Sequence, residues 1–87
     1  MASYPRLLII FPRYKFCEEI DSIPEVTLGD IVNSVVKANA NILGNLGAFV
    51  LYHGDTSLDP NKNIVNNGIK RNTFIIVKSL RDIQEYA

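Results

Sequence analysis

The chain has 87 residues, 47% of them hydrophobic, so it has room for one domain around one core and ample apolar side chains to fill it. Nine basic residues balance nine acidic ones, which leaves no electrostatic footprint for nucleic acid or an anionic membrane surface. Cys17, the lone cysteine, has no internal disulfide partner, and no apolar run is long enough for a signal-peptide core or a membrane span. A cytosolic or nuclear protein is therefore expected.

Leu7-Leu8-Ile9-Ile10-Phe11 is β-rich and stops at Pro12, which has no N–H for a sheet ladder. After a turn at Arg13 and Tyr14, the segment Lys15 to Ile20 can return as a second strand, and a hairpin is predicted. Pro24 closes that strand. Beyond it Leu28, Ile31, Val32 and Val35 repeat with the helical period, and Thr27 with Asp30 resembles a capping box in which Asp replaces Glu. The helix is predicted over 28–40, with Asn39, Asn41 and Gly44 marking its end.

Ala48 to Tyr52 reads as a third strand, ending at His53-Gly54-Asp55. Residues 56–63 read as turns, Asp59-Pro60-Asn61 being the clearest, while Leu58, Ile64 and Ile69 are isolated apolar anchors in a polar stretch. Asn67-Gly68 makes a further turn, and Thr73 to Val77 is the last strand. The tail 81–87 is polar and is expected to fray. The predicted architecture is α+β, a hairpin followed by a helix crossing one sheet face, within a core of about 7–80.

Several residues invite a chemical reading and do not sustain it. Cys17 lies beside Glu18 and Glu19, which would raise rather than lower a thiol pKa. His53 has no second histidine or cysteine at metal-ligand spacing, and the pattern places no nucleophile beside it. Gly44, Gly47 and Gly54 form no phosphate-binding loop. Lys62, Lys70, Arg71 and Lys78 are scattered among Asn and apolar residues rather than gathered into a nucleic-acid surface. No cofactor and no catalytic role is expected.

Val50-Leu51-Tyr52-His53-Gly54, then Leu58-Asp59, Ile64, Gly68-Ile69 and Thr73-Phe74-Ile75-Ile76-Val77, resemble the second half of a ubiquitin-like domain. Pro24, Thr27-Leu28, Ile31 and Val35 resemble that family's helix entry and core face. Two departures stand out: the loop from Gly54 to Leu58 is longer by one residue, and the turn after the first strand lacks the usual Gly. The resemblance implies a ubiquitin-like β-grasp fold, a mixed sheet of order ββαβ, a turn-rich segment and a last β, with one helix across it. Conjugated modifiers of this family end in Gly-Gly, whereas no Gly follows Gly68 here, so a non-conjugated member is expected.

Strand side chains alternate between faces, so only half of each strand can meet the helix. With Leu7, Ile9, Phe11, Val50, Ile75 and Val77 inward, the outer face would carry Leu8, Ile10, Leu51, Phe74 and Ile76. The resemblance puts Leu51, Ile76 and Lys78 where ubiquitin has its main recognition patch, with His53 close by. The expected function is a docking module whose protein partner is a ubiquitin-receptor-like domain, a proteasomal receptor or a complex subunit, within the ubiquitin–proteasome pathway. The alternatives are a conjugated modifier whose Gly-Gly end lies outside this sequence, and a subunit of an obligate complex or homodimer.

Overall fold

The computed structural model describes residues 4–80, and the tail 81–87 lies outside the described residues. Strand β1 (Arg6–Phe11) turns at Pro12–Tyr14 into β2 (Phe16–Asp21). Helix α1 (Leu28–Ala38) and a single turn of helix, α2 (Ala40–Leu43), lead to β3 (Phe49–His53), β4 (Thr56–Leu58) and β5 (Thr73–Ser79). The five strands form one mixed sheet in the order β2-β1-β5-β3-β4. The pairing of β1 with the central strand β5 is parallel, and the other three pairs are antiparallel.

The hairpin solves its missing glycine in an uncommon way. Pro12 opens a turn of 3-10 helix, and Lys15 closes it in the left-handed region at φ 50°, its N–H donating to the Pro12 carbonyl at 3.2 Å. A side chain in that region costs about 1–2 kcal/mol, and a Gly would avoid this cost.

Helix α1 begins as expected, with the Thr27 hydroxyl accepting from the Asp30 N–H at 3.2 Å. The loop after β4 satisfies two further N–H groups that a helix start leaves unpaired: Gly29 N–H donates to Pro60 O at 2.9 Å and Leu28 N–H to Lys62 O at 3.0 Å. The helix stops at Ala38, short of the expected Ala40. Asn39 leaves helical geometry at φ −122° and turns its side-chain amide back onto the Val35 carbonyl at 2.8 Å.

The core lies between α1 and one sheet face. It joins Leu28, Ile31, Val32 and Val35 to Leu7, Ile9, Phe11, Leu51, Ile75 and Val77, and Leu43 and Leu46 close one end. Leu58 and Ile64 are buried and Ile69 packs against the cluster, so the isolated apolar residues of the turn-rich segment do anchor it. Within that segment 56–58 is a short strand that the sequence reading missed, paired with β3 through Leu51–Leu58, Tyr52–Ser57 and His53–Thr56. Strand β5 runs two residues past the expected Val77, because Lys78 and Ser79 find partners in Val50 and Phe49.

Gly29 marks the closest approach of α1 to the loop. A Cβ added there would lie 2.8 Å from the Pro60 carbonyl oxygen, which is backbone and already holds the Gly29 N–H. Gly29→Ala should therefore destabilise by about 1–3 kcal/mol despite the better helix propensity of Ala. Urea unfolding of the two proteins checks this, and an unchanged or raised midpoint would place the loop farther from the helix.

Candidate protein-docking face

The sheet face opposite α1 is built by the alternation of β1, β5 and β3. On β1, Leu7, Ile9 and Phe11 are buried, while Leu8 and Ile10 point the other way and remain half-buried. On β5, Ile75 and Val77 are buried, while Phe74, Ile76 and Lys78 point outward. The parallel register sets Leu8 beside Phe74 and Ile10 beside Ile76, so these side chains form a contiguous apolar block at the sheet centre.

Strand β3 has the opposite phase to the one expected. Leu51 is fully buried, paired with inward Val77 on one side and Leu58 on the other. Leu51 is therefore a core residue and no part of the outer face. Val50, opposite Lys78, and Tyr52, opposite Ile76, take the outward positions. The run Phe49-Val50-Leu51-Tyr52 is apolar at every position, so alternation fits either phase and only the cross-strand partner decides.

The outer face thus joins Leu8, Ile10, Phe74, Ile76, Val50 and Tyr52. Phe74 is the most open of them, at 40% exposure. The Lys78 ammonium sits 5.5 Å from the Tyr52 ring centroid, a cation–π contact that holds a positive charge at the margin of the block. His53, at the end of β3, lies beside Phe74 with ring centroids 5.0 Å apart. Its Nδ1 is 2.9 Å from the Thr73 hydroxyl and 3.0 Å from the Phe74 carbonyl. The sequence reading placed no nucleophile by His53, and the structure brings Thr73 there. The shared contact to the Phe74 backbone makes the arrangement a clamp between the end of β3 and the start of β5.

The charge at the margins is uneven. An open cleft of about 500 Å3 beside Phe74 is lined by His53, Lys70 and Arg71 among others. At the β2 margin Arg6 bonds Glu19 at 2.6 Å and Asp21 at 3.0 Å. The hydrogen bond to Asp21, followed by the charges of Glu19 and Asp21, raises the Arg6 guanidinium above its usual pKa. Cys17 is exposed on the same margin, opposite Ile10. Among the described residues no group of three or more His, Cys, Asp or Glu could hold a metal ion, and no helix is long and apolar enough to cross a membrane.

No family model and no curated protein matches the sequence. Solved structures do. The chain is similar to the UBL domain of yeast Ddi1 at 16% identity and a TM-score of 0.64, over 92% of this chain and 93% of that one. It is also similar to a computationally designed protein based on the template of human erythrocytic ubiquitin, at 19% identity and a TM-score of 0.62, over 86% and 90% of the two chains. A third match, in the crystal structure of ATBAG1 in complex with HSP70, has 14% identity and a TM-score of 0.64. It covers 94% of this chain but only 45% of the other, so this chain spans less than half the length of that one. The chain has the ubiquitin-like β-grasp fold.

Proposed function

We propose that this chain is a non-catalytic docking module that binds a protein partner through the outer face of its sheet. The observation that carries the reading is the block of Leu8, Ile10, Phe74 and Ile76, side by side on the face that α1 leaves uncovered. Val50 and Tyr52 extend the block, and a margin of His53 and the basic residues Lys70, Arg71 and Lys78 borders it. An apolar centre with a polar rim is the anatomy of a protein interface. The fold supports the same reading, since one similar structure comes from a complex with HSP70. The partner class we favour is the small helical ubiquitin-receptor domain or proteasomal receptor, met in the cytosol or nucleus.

The test titrates isotopically labelled protein with a panel of such receptor domains and follows the amide resonances. Shifts should cluster on β1, β3 and β5 around Ile10, Tyr52 and Ile76. Phe74→Asp and Ile76→Asp should each weaken binding by at least about tenfold while the protein stays folded, as expected for residues at the centre of an interface. Unchanged affinity in a folded variant would move the interface off this face. Concentration-dependent shifts on the same residues without any partner would instead favour the homodimer.

A further inference from the structure

Asn67 and Gly68 form the one Asn-Gly step in the chain, and Asn67 holds the loop after β4 together. Its side-chain amide donates to the carbonyls of Asp59 at 3.0 Å, Lys62 at 3.2 Å and Asn63 at 3.0 Å. Its carbonyl oxygen accepts from the Asp59 N–H at 2.8 Å. The Lys62 carbonyl also accepts from Leu28, and the neighbouring Pro60 carbonyl accepts from Gly29. Thr27 bridges to Asn63. One carboxamide therefore ties the loop that caps the first turn of α1.

We propose that Asn67 is a deamidation site, and that its conversion permanently opens the 59–67 loop and uncaps α1. The Gly68 backbone nitrogen attacks Asn67 Cγ, forming a C–N bond as the Cγ–Nδ2 bond breaks. The Gly68 proton leaves with Nδ2 as ammonia, and water then opens the cyclic imide to aspartate or isoaspartate. In the closed loop this path is blocked. The Gly68 N–H is engaged with Val65 O at 3.0 Å, and the carboxamide is held at both ends by its own hydrogen bonds. Attack thus needs a transient opening of the loop, after which the absence of a side chain on Gly68 leaves its nitrogen accessible.

The product cannot return to the closed form. A carboxylate only accepts hydrogen bonds, so at position 67 it would face the carbonyl oxygens of Asp59, Lys62 and Asn63 with no donor for any of them. A rare and reversible opening is in this way converted into a lasting one. The loop becomes a one-way recorder of its own excursions.

The test incubates the full wild-type chain at mildly alkaline pH, folded and in urea, and maps position 67 by mass spectrometry. Conversion should be at least about tenfold slower in the folded protein, because the opening equilibrium multiplies the rate. Equal rates would show that the hydrogen bonds around Asn67 give no protection, and would overturn the proposal. Asn67→Asp should lower the melting midpoint by on the order of 10 °C. Partly converted wild-type protein repeats the measurement without relying on a variant. Its converted fraction should lose hydrogen-exchange protection at Leu28 and Gly29. Full protection there, or a variant that melts with wild type, would equally overturn the proposal.

Discussion

Leu51→Asp should abolish folding, whereas Ile76→Asp, on the neighbouring strand, should leave the protein folded. Leu51 has no exposed surface and sits between Leu58 and Val77. An aspartate there would either bury a charge without a partner or take up a proton, and it would also remove a fully packed Leu. Burial of an unpaired ionised group costs several kcal/mol after relaxation, which with the lost packing matches the whole ~5–15 kcal/mol stability of a small protein. Circular dichroism should show Leu51→Asp without a cooperative melt at 25 °C. Ile76 is half-buried on the outer face, and its aspartate can stay hydrated. A folded Leu51→Asp beside an unfolded Ile76→Asp would mean that β3 has the other phase and that the face described above is the core.

That pair of variants falls where the sequence was ambiguous. Strand β1 could be phased because its run ends at Phe11 before Pro12 and the returning strand offers Phe16 and Ile20, its two large apolar residues, at positions of one parity. Phe16 and Ile20 then mark the inner side, opposite Phe11 and Leu7. In β5, Lys78 marks the outer phase. Strand β3 offers no such mark: its central positions are all apolar, and the deciding contact is Leu51 with Val77, residues far apart in the chain. The short strand β4 was illegible for a different reason. Three residues are too few for a period, and Thr56-Ser57-Leu58 has the composition of a loop. The role of Asn67 was legible only as a turn, since the carbonyls that it gathers lie four to eight residues away and converge only when the loop is folded. The helix start and its inner face were readable, and only its end, two residues early at Ala38, was not. Their signal is local, repeated and backed by the Thr27 cap.

The helix face therefore supports the second large effect. Ile31→Ala should destabilise by about 2–5 kcal/mol, the range for truncating a buried aliphatic side chain whose surroundings relax only in part. Ile31 is 5% exposed and belongs to the cluster that joins α1 to Leu7, Ile9 and Ile75. In a protein of this size about 1 kcal/mol moves the melting midpoint by roughly 4–8 °C, so the loss should be at least about 8 °C. Asn33→Ala, on the exposed side of the same helix, is the control and should shift stability by no more than about 0.5 kcal/mol. The two variants also separate stability from recognition, because α1 covers the face opposite Phe74 and Ile76. Below its own melting transition, Ile31→Ala should bind a partner of the outer face with wild-type affinity. Weakened binding in the folded state would mean that α1 itself contributes to the interface, and a melt within a degree or two of wild type would mean that Ile31 is not packed against the sheet.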